Sequence, residues 1–228
     1  MARASAPRKI GLIVNPIAGM GGSVALKGTD GAEILAEARS RGAEPAAPSR
    51  AIRALKKLAA AGADIELHAP AGIMGGEAAR AAGLAPRLLA LDVGLVTTAS
   101  DTTSAAQALA RLNVDVILFA GGDGTARDIL AAVGDHIPML GIPSGVKMHS
   151  AVFAVSPEAA GQLAALIAGD DGGRIAWREA EVMDVDEVAL RAGHLSRRSS
   201  AMPACPSNAI SCKDPRQPPS VTRRQLRG

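Results

Sequence analysis

A chain of 228 residues with 48% apolar side chains is long enough for one large domain, or for one domain and part of a second. Two Phe, one Trp and no Tyr leave no aromatic platform for single-stranded nucleic acid, while a core of Ala, Leu, Ile and Val suits helices on a buried parallel sheet. The net charge of +3 divides unevenly, because residues 197–228 carry seven Lys/Arg against the single acid Asp214 and the other 196 carry 18 bases against 21 acids; the basic excess belongs to the tail and is no nucleic-acid footprint.

The chain opens with a basic stretch to Lys9. The apolar run that follows stops at Asn15-Pro16, too soon for a signal-peptide core, and no run approaches the ~18 residues of a membrane-spanning helix. A cytoplasmic protein without membrane or nucleic-acid partners is expected. Residues 9–14 read as a first buried strand, followed by the glycine-rich loop Ile17-Ala-Gly-Met-Gly-Gly22. Helices are predicted over 33–40 and 51–61, broken by Gly42, Pro45 and Pro48. Residues 63–68 alternate as a short strand, 77–82 make one or two helical turns, and 91–98 form a further strand. Asp101 or Thr102 caps a helix to about Leu112. Residues 113–120 give the clearest strand, which runs into Gly121-Gly-Asp-Gly-Thr125; 126–133 form a helix, and 137–142 the next strand, closed by Pro143-Ser-Gly145. Ser156 caps a helix over 157–168 with Pro157 in its first position, where proline is tolerated. Strand, loop and helix in repetition predict an α/β fold, a three-layer doubly wound parallel sheet with right-handed crossovers.

Beyond Gly172-Gly173 the pattern changes. Residues 174–186 look like an extended segment opening a second, β-rich domain over 173–196. The stretch 197–228 is a basic tail with five Pro, five Ser and both Cys205 and Cys212, expected as free thiols, and reads as disordered or out of frame. The expected division is therefore a nucleotide-binding domain over 1–172, the opening of a second, largely missing domain, and the tail.

The loop Gly121-Gly-Asp-Gly-Thr125 carries the chemistry. Glycines let the chain turn tightly and let a phosphate approach without meeting a Cβ, and the first amides of the following helix, with its dipole, favour an anion. Asp123 falls at the carboxyl edge of the sheet, where open α/β folds bind ligands. A carboxylate among phosphates is repelled unless it holds Mg²⁺ or takes a proton from an attacking hydroxyl. The competing reading is a tight strand-to-helix turn with Asp123 or Thr125 as helix cap. Asn15-Pro16-Ile-Ala-Gly19 and Pro143-Ser-Gly145 also follow predicted strands, so three loops should gather on one edge. Other fingerprints fail: Val24 stands where a dinucleotide loop starting at Gly19 needs glycine, and no Gly-x-x-x-x-Gly-Lys-[Ser/Thr] occurs. Neither the four His nor the two Cys have metal-ligand spacing.

Asn15-Pro16 after the first strand, Gly121-Gly-Asp-Gly-Thr125 after a mid-chain strand, and Leu140-Gly-Ile-Pro-Ser-Gly145 beyond it resemble the NAD kinase and diacylglycerol kinase superfamily. Leu26-Lys-Gly-Thr-Asp-Gly31 and Gly145-Val-Lys-Met-His-Ser150 resemble its ATP-NAD kinase branch, which includes acetoin-catabolism protein X; the resemblance covers about residues 9–196. It implies phosphoryl transfer from ATP (or polyphosphate) to the 2′-hydroxyl of NAD with Mg²⁺, giving NADP. It implies Asp123 as the acid acting on the acceptor hydroxyl, Gly121, Gly122, Gly124 and Thr125 as the phosphate loop, Asn15 as a nucleotide contact, and Ser144 and Gly145 as a continuation of the site. No metal ligand is assigned. Lys147 either neutralises phosphate charge or is an exposed helix lysine, and Thr98 and Asp101 either border the nucleotide or are solvated loop residues. The family's second β-rich domain, with its Asn-Glu or Asn-Asp motif, is expected to be cut short here, and with it the family's homo-oligomer. A lipid kinase sharing the same loop and an inactive nucleotide-binding fragment are the alternatives.

Overall fold

Inside the sheet, successive residues of each strand turn to opposite faces, and here both faces are apolar. Ile10, Leu12 and Val14 look one way and Gly11 and Ile13 the other, while all six residues of Val116–Gly121 are buried. Such two-sided burial belongs to a parallel sheet covered by helices. The computed structural model describes residues 6–24, 32–94, 96–145, 148–169, 177–178, 182 and 205–206. Its strands β1 (Arg8–Val14), β2 (Ile65–Pro70), β3 (Arg87–Leu89), β4 (Val116–Gly121) and β5 (Met139–Pro143) form one parallel sheet in the order β3-β2-β1-β4-β5. The doubly wound architecture is as expected. Successive strands are added to one side of β1 as β2 and β3 and then to its other side as β4 and β5, which makes the carboxyl ends of β1 and β4 the topological switch point.

One face is covered by α3 (Ala47–Ala60), α4 (Gly76–Ala81) and α7 (Pro157–Ala168), the other by α5 (Ala99–Arg111) and α6 (Asp123–Val133). In α3 the residues Ala51, Ala54, Leu55 and Leu58 form a buried stripe at helical spacing. Gly161 of α7 lies against it so closely that a Cβ there would collide with the Ala54 carbonyl oxygen. On the exposed side Arg53 Nε donates to Glu158 at 2.7 Å, and that hydrogen bond, helped by the helix's own amide, holds the Glu158 carboxyl below its usual range. The two Phe of the chain, Phe119 and Phe153, meet edge to face at 5.4 Å on the other side of the sheet, where Gly141 of β5 leaves room for the Phe153 ring. Val182 is buried in the same cluster.

Several element boundaries differ from expectation for local reasons. The predicted break at Pro48 is absent, because proline sits in the first turn of α3, where its missing N–H costs nothing. None of the described residues of 91–98 is in a strand; β3 is only Arg87–Leu89. Helix α5 starts at Ala99, with the Thr98 amide and hydroxyl both donating to Asp101 at 2.8 Å. Thr98 and Asp101 thus form the helix's cap, and Thr102, which was a candidate for it, is buried. Asn113 adopts a left-handed φ of 51° just after that helix, so the strand begins at Val116 and not at Asn113. Part of the loop expected over 17–22 is a single helical turn, α1 (Met20–Ser23), packed under α2 (Ala32–Ser40) through Met20, Leu35 and Ala38. Lys147, Leu26-Lys-Gly-Thr-Asp-Gly31, Cys212, the tail over 197–228 and the expected second-domain opening over 173–196 lie outside the described residues, apart from Val182 and the short antiparallel pair Trp177–Arg178 with Cys205–Pro206.

Candidate functional site at the switch point

Three loops leave the carboxyl ends of β1, β4 and β5 and are tied to one another. Asn15 Nδ2 donates to Thr125 Oγ1 at 2.9 Å, across 110 residues of sequence, and its Oδ1 accepts the Ile17 amide at 3.2 Å. The Ser144 amide donates to the Gly121 carbonyl at 3.0 Å. Gly19, with φ of +82°, passes so close to the Ser144 carbonyl oxygen that no other residue fits. Arg50 of α3 donates through Nη1 to the Pro143 carbonyl at 2.9 Å and steadies the third loop from beneath.

The glycines of the central loop serve two purposes. A Cβ on Gly121 would lie 2.5 Å from Thr125 Cβ, so that residue is glycine to let Thr125 tuck under the turn. A Cβ on Gly122 meets nothing within 4 Å, and one on Gly124 meets only Arg127 Nη2, at 3.9 Å. The surface over Gly122 and Gly124 is therefore bare backbone at the start of α6, whose first amides have no acceptor inside the helix. Bare amides at a positive helix end are a fit for a phosphate group.

Asp123 begins α6 with both carboxylate oxygens held. The His149 amide donates to Oδ2 at 2.8 Å and the Ser150 amide to Oδ1 at 3.0 Å. A carboxylate has about four lone-pair directions, so the group keeps acceptor capacity after these two bonds. The clamp fixes its direction and ties the segment after the third loop to the second loop.

The expected site residues thus divide into those that face outward and those that hold the loops. Gly122, Gly124 and Asp123 surround the open surface, with Gly145 next to Gly19 at its side. Asn15 and Thr125 are paired with each other, and Thr125 is only 3% exposed. Ser144 is likewise buried, its hydroxyl donating to the Ile142 carbonyl at 3.1 Å. Arg127 and Arg50 were not singled out in the sequence, and the stretch ending in His149-Ser150 was noted for its resemblance without a role for those amides. Arg127 lies one turn into α6, a position readable from the motif; the others come from segments far from it in sequence. Among the described residues no cluster of three or more His, Cys, Asp or Glu is arranged to ligate a metal, and no helix is long and apolar enough to cross a membrane.

A family model, the ATP-NAD kinase N-terminal domain, matches residues 10–171, more than half of the chain. The match takes in all three loops. No curated protein matches the chain.

Proposed function

The chain belongs to the ATP-NAD kinase family, and from that premise we propose that it transfers the terminal phosphoryl group of ATP to the 2′-hydroxyl of NAD, giving NADP. The observation that carries the proposal is the cross-tying of the three loops, Asn15 to Thr125 and Ser144 to Gly121, around a bare glycine surface with a clamped carboxylate at its edge. Phosphoryl transfer asks a protein mainly for positioning and charge stabilisation, and a loop cradle at a helix start supplies both. In this reading the amides of Gly122, Gly124 and Thr125 bind the phosphates, Arg127 adds positive charge beside them, and Asn15, Ser144 and Gly145 hold the walls. Asp123, aimed by the two amides, accepts the proton of the acceptor hydroxyl as its oxygen attacks phosphorus.

Magnesium fits these residues. It keeps most of its ligands as water and phosphate oxygens and takes only one or two carboxylates, and Asp123 retains lone pairs for that use. The ion would neutralise charge on the phosphates. The partners inferred are small-molecule nucleotides, and the compartment inferred is the cytoplasm.

The test is NADP formation from ATP and NAD with Mg²⁺, with diacylglycerol offered in parallel. NADP is the expected product, and a phosphorylated lipid in its place would transfer the site to the lipid-kinase reading. Asp123→Asn is expected to lower the rate by about 10²-fold or more, the size of a general-base contribution, while ATP still raises the melting temperature. An unchanged rate removes Asp123 from the base role.

A further inference from the structure

Three residues lie abreast across the sheet behind the candidate site. Phe119 of β4 pairs with Gly141 of β5, and Gly141 in turn makes a parallel bridge to Phe153, beyond the last strand. Residues abreast in a sheet send their side chains to one face, so the two rings flank a position that has no side chain. They meet over it edge to face, with centroids 5.4 Å apart, and both are fully buried. A Cβ on Gly141 would collide with the Phe153 ring. Glycine weakens a strand unless another group needs its space, and here it makes the seat for a ring.

The seat holds the stretch that aims Asp123. Phe153 comes three residues after Ser150, whose amide donates to Asp123 Oδ1 at 3.0 Å, while the neighbouring His149 amide donates to Oδ2 at 2.8 Å. Backbone bonds anchor the stretch to the same glycine. The Gly141 amide donates to the Val152 carbonyl at 2.9 Å, and the Ala154 amide to the Gly141 carbonyl at 3.0 Å. That is a single bridge and not a strand, so the chain could pivot about it. A large ring packed beside the bridge removes that freedom, because a buried aromatic cannot shift without opening a void.

We infer that Phe153, seated on Gly141, is the positioning residue of Asp123: the ring fixes where the His149 and Ser150 amides stand, and through them the direction of the carboxylate. The inference rests on the proposed role of Asp123 as acceptor of the hydroxyl proton, and deepens it by naming what aims that group. The proposed phosphate contacts are the bare backbone of Gly122 and Gly124, which the ring does not hold. Carboxylate aim and phosphate binding are therefore separable.

The experiment compares the 228-residue chain with Phe153→Leu, which empties much of the seat, and with Gly141→Ala, whose methyl group pushes the ring out of it. It reads kcat for NADP formation, the Kd of Mg-ATP, and hydrogen exchange of the His149 and Ser150 amides. In both variants kcat falls by about tenfold or more, since a misplacement of about 1 Å far from the chemistry can cost about 10²-fold. The Kd of Mg-ATP stays within about twofold. The two clamping amides exchange about tenfold faster or more, while those of β1 and α5 keep their protection. Either variant decides the matter if the other fails to fold. An unchanged kcat overturns the inference and leaves the role of Asp123 standing. A lowered kcat with unchanged exchange at His149 and Ser150 overturns it too. So does faster exchange throughout the sheet together with weakened Mg-ATP binding, the mark of a ring that only fills the core. If the unaltered chain forms no NADP, the role of Asp123 falls and this inference falls with it.

Discussion

A Cβ added to Gly121 would come within 2.5 Å of Thr125 Cβ, whereas one added to Gly122 would meet nothing within 4 Å. The two neighbours should respond to alanine in opposite ways. Gly121→Ala displaces the buried Thr125 and the start of α6, and is expected to cost about 1–3 kcal/mol of stability, as overpacking does. Gly122 has φ of −119° and ψ of −167°, extended backbone that alanine adopts freely. Gly122→Ala should leave the melting temperature unchanged and abolish the rise produced by Mg-ATP, because its methyl group occupies the anion's place. A differential melt of the two variants with and without nucleotide checks both. The motif was legible in the sequence as a pattern; the division of labour within it was not, since that depends on which side of the turn Thr125 packs. The pairing of Asn15 with Thr125 was equally hidden. Nothing local to either residue specifies a partner 110 positions away.

Helices and strands were legible where their patterns are strong and misread where a boundary depends on a turn. Helix α7 was found from Ser156 to Ala168 because its cap and its first-position proline are both local signals; the Ala159 amide does donate to Ser156 Oγ, at 3.1 Å. Helix α5 was started too late because Asp101 and Thr102 were both local capping candidates, whereas the cap is Thr98, whose amide and hydroxyl both donate to Asp101. The contact of α3 with α7 was not readable at all. It is close because Gly161 lies over the Ala54 carbonyl, and a glycine within a helix reads from sequence only as a small loss of propensity. Gly161→Ala gains helix propensity yet should lower stability, because the added methyl group forces the two helices apart; a net loss of about 1–3 kcal/mol is expected by chemical denaturation. A gain in stability would mean that α3 and α7 can separate at little cost.

At the scale of the molecule, the repeated strand–loop–helix rhythm made a parallel doubly wound sheet legible, but not the order of its strands. That order, β3-β2-β1-β4-β5, brings the first and fourth strands together and so makes the site. On the proposed function, nucleotide held across both halves of the sheet would stabilise the whole fold by mass action, about 2.7 kcal/mol at a hundredfold excess over Kd. One cooperative melt, moved upward by Mg-ATP, is the expected result; two separate transitions, only one of them moved, would show that the halves unfold independently. The same order sets a timetable for synthesis. Residues 8–14 can pair with 65–70 as soon as those emerge, but the other edge of β1 has no neighbour until 116–121 leave the ribosome. At about 5–20 residues per second that edge waits roughly 5–20 s, apolar on both faces and open to any passing strand. The last strand to close it also brings Gly121-Gly-Asp-Gly-Thr125, so a nascent chain that binds ATP has already passed its most vulnerable interval.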